Sequence, residues 1–114
     1  MSHGKAVRDE VRVLGRDLRA AIPDVYRGYA QLHRAALQAG ALDTLHKELI
    51  ALAIAVTKEC DGCIAAHAEG AARSGATRAQ VAEALGVAIL MNGGPGTVYG
   101  PRALAAFDEF AGAD

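Results

Sequence analysis

Residues 48–67 read ELIALAIAVTKECDGCIAAH. The first half, 49–56, is an unbroken apolar run of alanine, leucine, isoleucine and valine, the signature of a helix buried on most of its sides. The second half holds both cysteines of the chain, Cys60 and Cys63, in a C-x-x-C, with His67 four residues past the second thiol. Glu48 stands at the head of the apolar run. A dithiol, an imidazole and a carboxylate within twenty residues form a redox or metal-binding constellation, and the rest of the chain is read outward from them.

The bulk composition narrows the classes. A chain of 114 residues makes one domain of ordinary size, able to bury a core without cross-links, so the two cysteines are not needed as a scaffold. Apolar residues make up 52%, but aromatics only 4%, with no Trp, so the core must be built from Ala, Leu, Val and Ile. The net charge is -1, with 12 basic and 13 acidic side chains and no two Lys or Arg adjacent, which argues against a nucleic-acid surface. The N-terminus lacks the apolar region of a signal peptide, and an eight-residue apolar run is far short of the ~20 residues a bilayer helix needs. The expectation is a soluble cytoplasmic protein with no membrane or nucleic-acid partner. In that compartment a C-x-x-C is catalytic or metal-binding more often than structural.

Periodicity predicts helices throughout. Val7, Val11, Leu14 and Leu18 recur at three and four over residues 5–21, which Pro23 ends. Asp24 is the expected N-cap of a second helix, 25–39, with Tyr26, Tyr29, His33 and Leu37 on one face and Gly40 as its stop. Asp43 or Thr44 caps a third helix running to about Lys58. A fourth spans about 61–74 before Gly75. Thr77 and Gln80 form a capping box for a fifth. Three glycines and a proline in residues 92–96 are expected to end it, and Pro101 to open a last helix over about 101–111. The reading is all-α: six helices, with 1–39 supplying N-terminal helices and 40–111 the core with the redox motif.

The dithiol has a mechanical logic. With Cys60 at the N-terminus of the fourth helix and Cys63 one turn in, the two Cα atoms lie about 5 Å apart, within disulfide range. A helix N-terminus favours thiolate over thiol. His67, at i+4 from Cys63, shares its face and can take its proton. Cys63 is therefore read as the attacking thiol and Cys60 as the resolving one, although the first cysteine at a helix end is usually the more exposed. If the chain reverses at 59–61, Glu48 comes within roughly 6 Å in axial offset of His67, giving a relay Glu48–His67–Cys63. Two other readings stand beside this one. Glu48, Cys60, Cys63 and His67 could be four metal ligands, or the thiols could be packed and inert in an assembly module.

The stretch from Lys47 through Gly100, with a Glu twelve residues before a C-x-x-C and a His four after it, followed by S-G-A-T and M-x-G-G-P, resembles the alkylhydroperoxidase-D-like, carboxymuconolactone decarboxylase superfamily. The resemblance covers about residues 40–110. It implies an all-helical bundle of antiparallel hairpins that assembles into homo-oligomers, trimers or hexamers. It also implies a thiol-dependent peroxidase or disulfide reductase working without cofactor or metal, with Glu48, Cys60, Cys63 and His67 as catalytic residues. Its substrate would be a hydroperoxide, and a dithiol donor, lipoylated or thioredoxin-like, would reset the pair. Gly62 stands where the well-known peroxidase has a second His. The lactone decarboxylase branch lacks the dithiol. Beyond the signature, His46 reads as a surface residue and His3 as part of a disordered tail. His33 with Tyr26 and Tyr29 reads as a packing face, or else as a pocket wall.

Overall fold

The structure, a computed structural model, describes residues 2–112. Within them the chain forms six α-helices and no strand: α1 (Lys5–Ala21), α2 (Pro23–Leu37), α3 (Thr44–Thr57), α4 (Asp61–Arg73), α5 (Arg78–Asn92) and α6 (Gly94–Phe110). The all-α, six-helix expectation holds. Three of the local stop and start signals hold as well. Asp43 accepts the His46 N–H at 2.8 Å, Thr77 and Gln80 close a reciprocal capping box, and Gly75 takes a φ of 85° at the end of α4.

The core lies among α3, α4, α5 and α6. Leu52 and Val56 of α3 meet Ile64, Ala68 and Ala71 of α4, Val81, Leu85 and Ala88 of α5, and Ala103, Ala106 and Phe107 of α6. Alanine fills many of these positions, so helix backbones approach closely and the few large side chains fill the remaining space. Full burial of Leu52 or Ile64 contributes about 1.5–3 kcal/mol each. Neither α1 nor α2 contributes a buried residue. They lie against the outside of this core, and that placement matters for the site.

Four expectations are corrected. The second helix starts two residues early, at Pro23, whose fixed φ suits a first helical position. Asp24 therefore sits in the first turn instead of capping it. That helix ends at Leu37 with Gln38 extended, and Gly40 has no positive φ, so it is no left-handed stop. The last helix starts at Gly94, seven residues before Pro101. Only Gly93, at φ 69°, breaks the chain, while Gly94, Pro95 and Gly96 form the first turn. There a Cβ on Gly96 would sit 3.0 Å from the Ile89 Cα, so the glycine lets α6 fold back against α5. Pro101 is carried inside the helix. Finally, α3 is not buried all round: Ile50 and Ile54 are 49% and 52% exposed.

The start of the chain is also tied down. The Glu109 carboxylate on α6 accepts hydrogen bonds from the Ser2 hydroxyl at 2.8 Å and from the N–H groups of His3, Gly4 and Lys5 at 3.2, 3.2 and 3.0 Å. A side chain from the last helix thus caps the first, which has no cap of its own. Gly4 permits the contact, since a Cβ there would lie 2.9 Å from the Phe110 ring. His3 is not in a disordered tail. Partial burial pushes the Glu109 carboxyl up, but the donors from Lys5, Ser2, Gly4 and His3 outweigh it and hold it below the ordinary glutamate range. With its folded value depressed, its contribution is present above the unfolded value and is lost as pH falls through the folded one. Glu109→Gln should therefore cost about 1 kcal/mol at neutral pH. In urea melts run at descending pH, its gap from the wild type should close in acid.

Candidate redox site

The turn between α3 and α4 takes only three residues. Lys58 ends α3 in a helical conformation, Glu59 swings to φ 54°, and Cys60, extended, becomes the N-cap of α4. Glu59 is the non-glycine residue in the left-handed region among the described residues, which marks the tightness of this reversal. The Cys60 N–H reaches back to the Ala55 carbonyl at 3.2 Å, and the Cys60 carbonyl accepts from Ile64 at 2.9 Å.

Cys60 and Cys63 are joined as a disulfide, with Cα atoms 5.2 Å apart, as expected for residues one turn apart. The Cys60 sulfur also accepts the Cys63 N–H at 3.2 Å, so it caps the helix that carries its partner. Cys63 is exposed and Cys60 half-buried. The disulfide is therefore reached from solvent on its Cys63 side, at the positive end of α4.

The α3–α4 hairpin brings Glu48 and His67 together. His67 Nδ1 lies 2.7 Å from Glu48 Oε1, with side chains only 17% and 7% exposed. When the carboxylate is ionised it can only accept, so Nδ1 is then the donor in this bond and Nε2 of a neutral ring is the nitrogen left to accept. The carboxylate fits because residue 70 has no side chain. A Cβ on Gly70 would lie within van der Waals overlap of Glu48 Oε2 and Cδ. Gly70 is three residues beyond His67, on the same side of α4, and nothing in the local sequence singled it out.

Two further elements wall the site. From α2, the His33 ring stacks on His67 with centroids 5.7 Å apart and planes 17° from parallel, and Tyr29 stands beside His33 at 6.3 Å. From α1, Arg8 binds Glu69 of α4 at 2.7 Å and lies over the Phe110 ring. A cleft of about 250 Å³ opens among these helices, lined by Arg8, Val11, His33, Glu48, Gly62 and Arg73 among others. Val11 borders position 62: a Cβ there would be 3.3 Å from the Val11 methyl, so a side chain at 62 would have to push that methyl aside. His46 bonds Asp43 instead, at 2.6 Å on the surface. Among the described residues no three His, Cys, Asp or Glu side chains converge as metal ligands.

The fold and the site define an all-helical protein with a solvent-facing disulfide at a helix N-terminus beside a buried carboxylate–imidazole pair. The chain belongs to the carboxymuconolactone decarboxylase family, whose sequence profile matches residues 23–111. A crystal structure of a family member from Legionella pneumophila, in its apo form, superposes with a TM-score of 0.88 at 40% identity, covering 93% of this chain and 95% of that one. An uncharacterised protein of Cupriavidus necator is 47% identical over 88 residues, 77% of this chain and 78% of its own. Uncharacterised protein 4 of the cox locus of Paracoccus denitrificans is 46% identical over 74 residues, 65% and 67% of the two chains.

The space at residue 70 yields a test. Replacing a helix-interior glycine with alanine ordinarily stabilises by about 0.5–1 kcal/mol. Gly86→Ala on α5, with no atom within 4 Å of the new Cβ, should do so. Gly70→Ala should instead lower the melting temperature, because the methyl expels the Glu48 carboxylate from its bond to His67. Parallel thermal melts of the two variants check this.

Proposed function

We propose that the protein is a thiol-dependent peroxidase or disulfide oxidoreductase that cycles Cys60 and Cys63 between dithiol and disulfide. The observation that carries this reading is the pairing of an exposed disulfide at the N-terminus of α4 with the Glu48–His67 hydrogen bond one turn further along. The Glu48 carboxylate keeps the Nδ1 proton in place and makes Nε2 the basic nitrogen, on the helix face that also carries Cys63.

The cycle balances as follows. His67 accepts the Cys63 proton, and the thiolate attacks one oxygen of a hydroperoxide. The O–O bond breaks, the leaving alkoxide takes a proton and departs as alcohol, and Cys63 becomes a sulfenic acid. The Cys60 thiol attacks that sulfur, water leaves, and the disulfide forms. A dithiol donor of the lipoyl or thioredoxin type then attacks the exposed Cys63 sulfur. Cys60 departs as thiolate into the N–H bond that the Cys63 amide already makes to it. The donor is oxidised to a disulfide and the pair is reset. The greater solvent exposure of Cys63, beside a half-buried Cys60, favours this order of attack. The dithiol itself favours redox chemistry over lactone decarboxylation.

The same reading includes self-association in a reducing, cytoplasmic setting. No helix among the described residues is long and apolar enough to cross a membrane. Yet Ile50 and Ile54 of α3 and Val87, Leu90 and Met91 of α5 are exposed, a set that a trimeric or hexameric assembly would cover.

Cys63→Ser should abolish hydroperoxide consumption. Cys60→Ser should consume one equivalent and stop, leaving a sulfenic acid that a dimedone adduct reveals by mass spectrometry. Wild-type turnover by both variants would exclude the cycle.

A further inference from the structure

His33 takes no part in the proton relay, and the signature residues 48–67 do not include it. It projects from α2, a helix with no buried residue, so the core does not need it. Its ring nevertheless lies almost parallel to that of His67, at a centroid separation in the range offset-stacked rings prefer. Tyr29 also stands beside it, its ring tilted by 46°. The contact joins an outer helix to the imidazole on which the proposed proton transfer depends.

The two restraints on His67 are complementary. The hydrogen bond from Nδ1 to Glu48 lies in the ring plane and fixes where that edge points. It resists tilting of the ring only weakly, because a carboxylate accepts over a broad range of directions. A flat partner across the ring face resists the tilt directly. Together they fix both the direction and the plane of Nε2, the atom that would take the thiol proton.

We propose that His33 is a positioning residue: its ring, stacked on His67, holds the His67 imidazole in the plane that presents Nε2 to the dithiol. The inference rests on the redox reading above, and the site then spans α2 as well as α3 and α4. The stacked face is the requirement, not a proton or a charge on His33, so a flat apolar ring should serve in its place.

The test compares wild type, His33→Phe and His33→Ala, each reduced beforehand. Two readouts are taken: the rate at which tert-butyl hydroperoxide oxidises the Cys60–Cys63 pair in a single turnover, and the ¹⁵N signals of the His67 ring, which report its tautomer. His33→Ala should oxidise about tenfold more slowly or worse, as a misplaced proton acceptor does. Its His67 ring signals should move from the wild-type values, as the tilted ring loosens its bond to Glu48, while its melting temperature stays at that of the wild type. His33→Phe should keep the wild-type rate and the wild-type His67 ring signals. The proposal is overturned if His33→Ala matches the wild type in rate and ring signals. It is equally overturned if His33→Phe is as slow as His33→Ala, which would mean that a nitrogen is needed and not a face. Should the wild type itself not react with hydroperoxide, the peroxidase reading fails, and the ring signals alone decide the role of His33.

Discussion

A carboxylate buried in an apolar bundle is the constraint around which this protein is built. Removing Glu48 from water costs several kcal/mol unless a partner is held in good geometry. That partner, His67, comes from the next helix, nineteen residues along. The pair therefore demands a particular register between α3 and α4. The register demands a short reversal, which Glu59 provides by adopting a left-handed conformation that side chains usually avoid. It also demands room, which Gly70 provides by having no side chain, at the expense of helix propensity. The irregularities at Glu59 and Gly70 are both compatible with that one hydrogen bond, and Gly70 lies directly against it.

The same reversal positions the sulfur atoms. Because α4 starts at Asp61, Cys60 falls on its N-cap and Cys63 in its first turn. A sulfur occupies the place where serine or aspartate would ordinarily accept a backbone N–H. The helix end thereby stabilises negative charge on the pair, and the hairpin register delivers the imidazole one turn away. Stability and proposed chemistry are set by the same few backbone choices, so a substitution that relaxes the turn would disturb both.

What the sequence made legible is what local rules govern. The caps at Asp43 and Thr77 and the stop at Gly75 are contacts within four residues, and the i, i+3 and i, i+4 spacings place Cys60, Cys63 and His67 on α4. The meeting of Glu48 with His67 could be reached because it needed only helix rise and one reversal. Contacts between distant segments left no such trace. Glu109 caps α1 from over a hundred residues away, and Gly70 matters only because of a carboxylate on another helix. The glycine-rich stretch before α6 misled for a related reason. Glycine and proline signal a break in isolation, yet at a first helical turn proline loses no bond, and glycine there lets α5 and α6 touch. The apolar run on α3 misled in the opposite sense, since its hydrophobicity fits the core on one side and an exposed face carrying Ile50 and Ile54 on the other.

The division between inner and outer helices gives the molecule its remaining logic. The four helices α3 to α6 hold the buried side chains, and two of them hold Glu48, Cys60, Cys63 and His67. The outer helices bury nothing, yet Val11 lies over the turn between the cysteines, Arg8 reaches across to Glu69, and His33 covers the His67 ring. Packing fixes the inner set, because a change there opens a cavity or strands a charge. No such penalty fixes the outer set. Residues on α1 and α2 can change the width, polarity and charge of the cleft without touching the core. A side chain at position 62 would press on the Val11 methyl, so residue 62 and α1 face each other across the mouth of the cleft. The proposed redox residues thus sit in the tightly packed hairpin, while the walls of the cleft come in part from helices that bury no residue of the core.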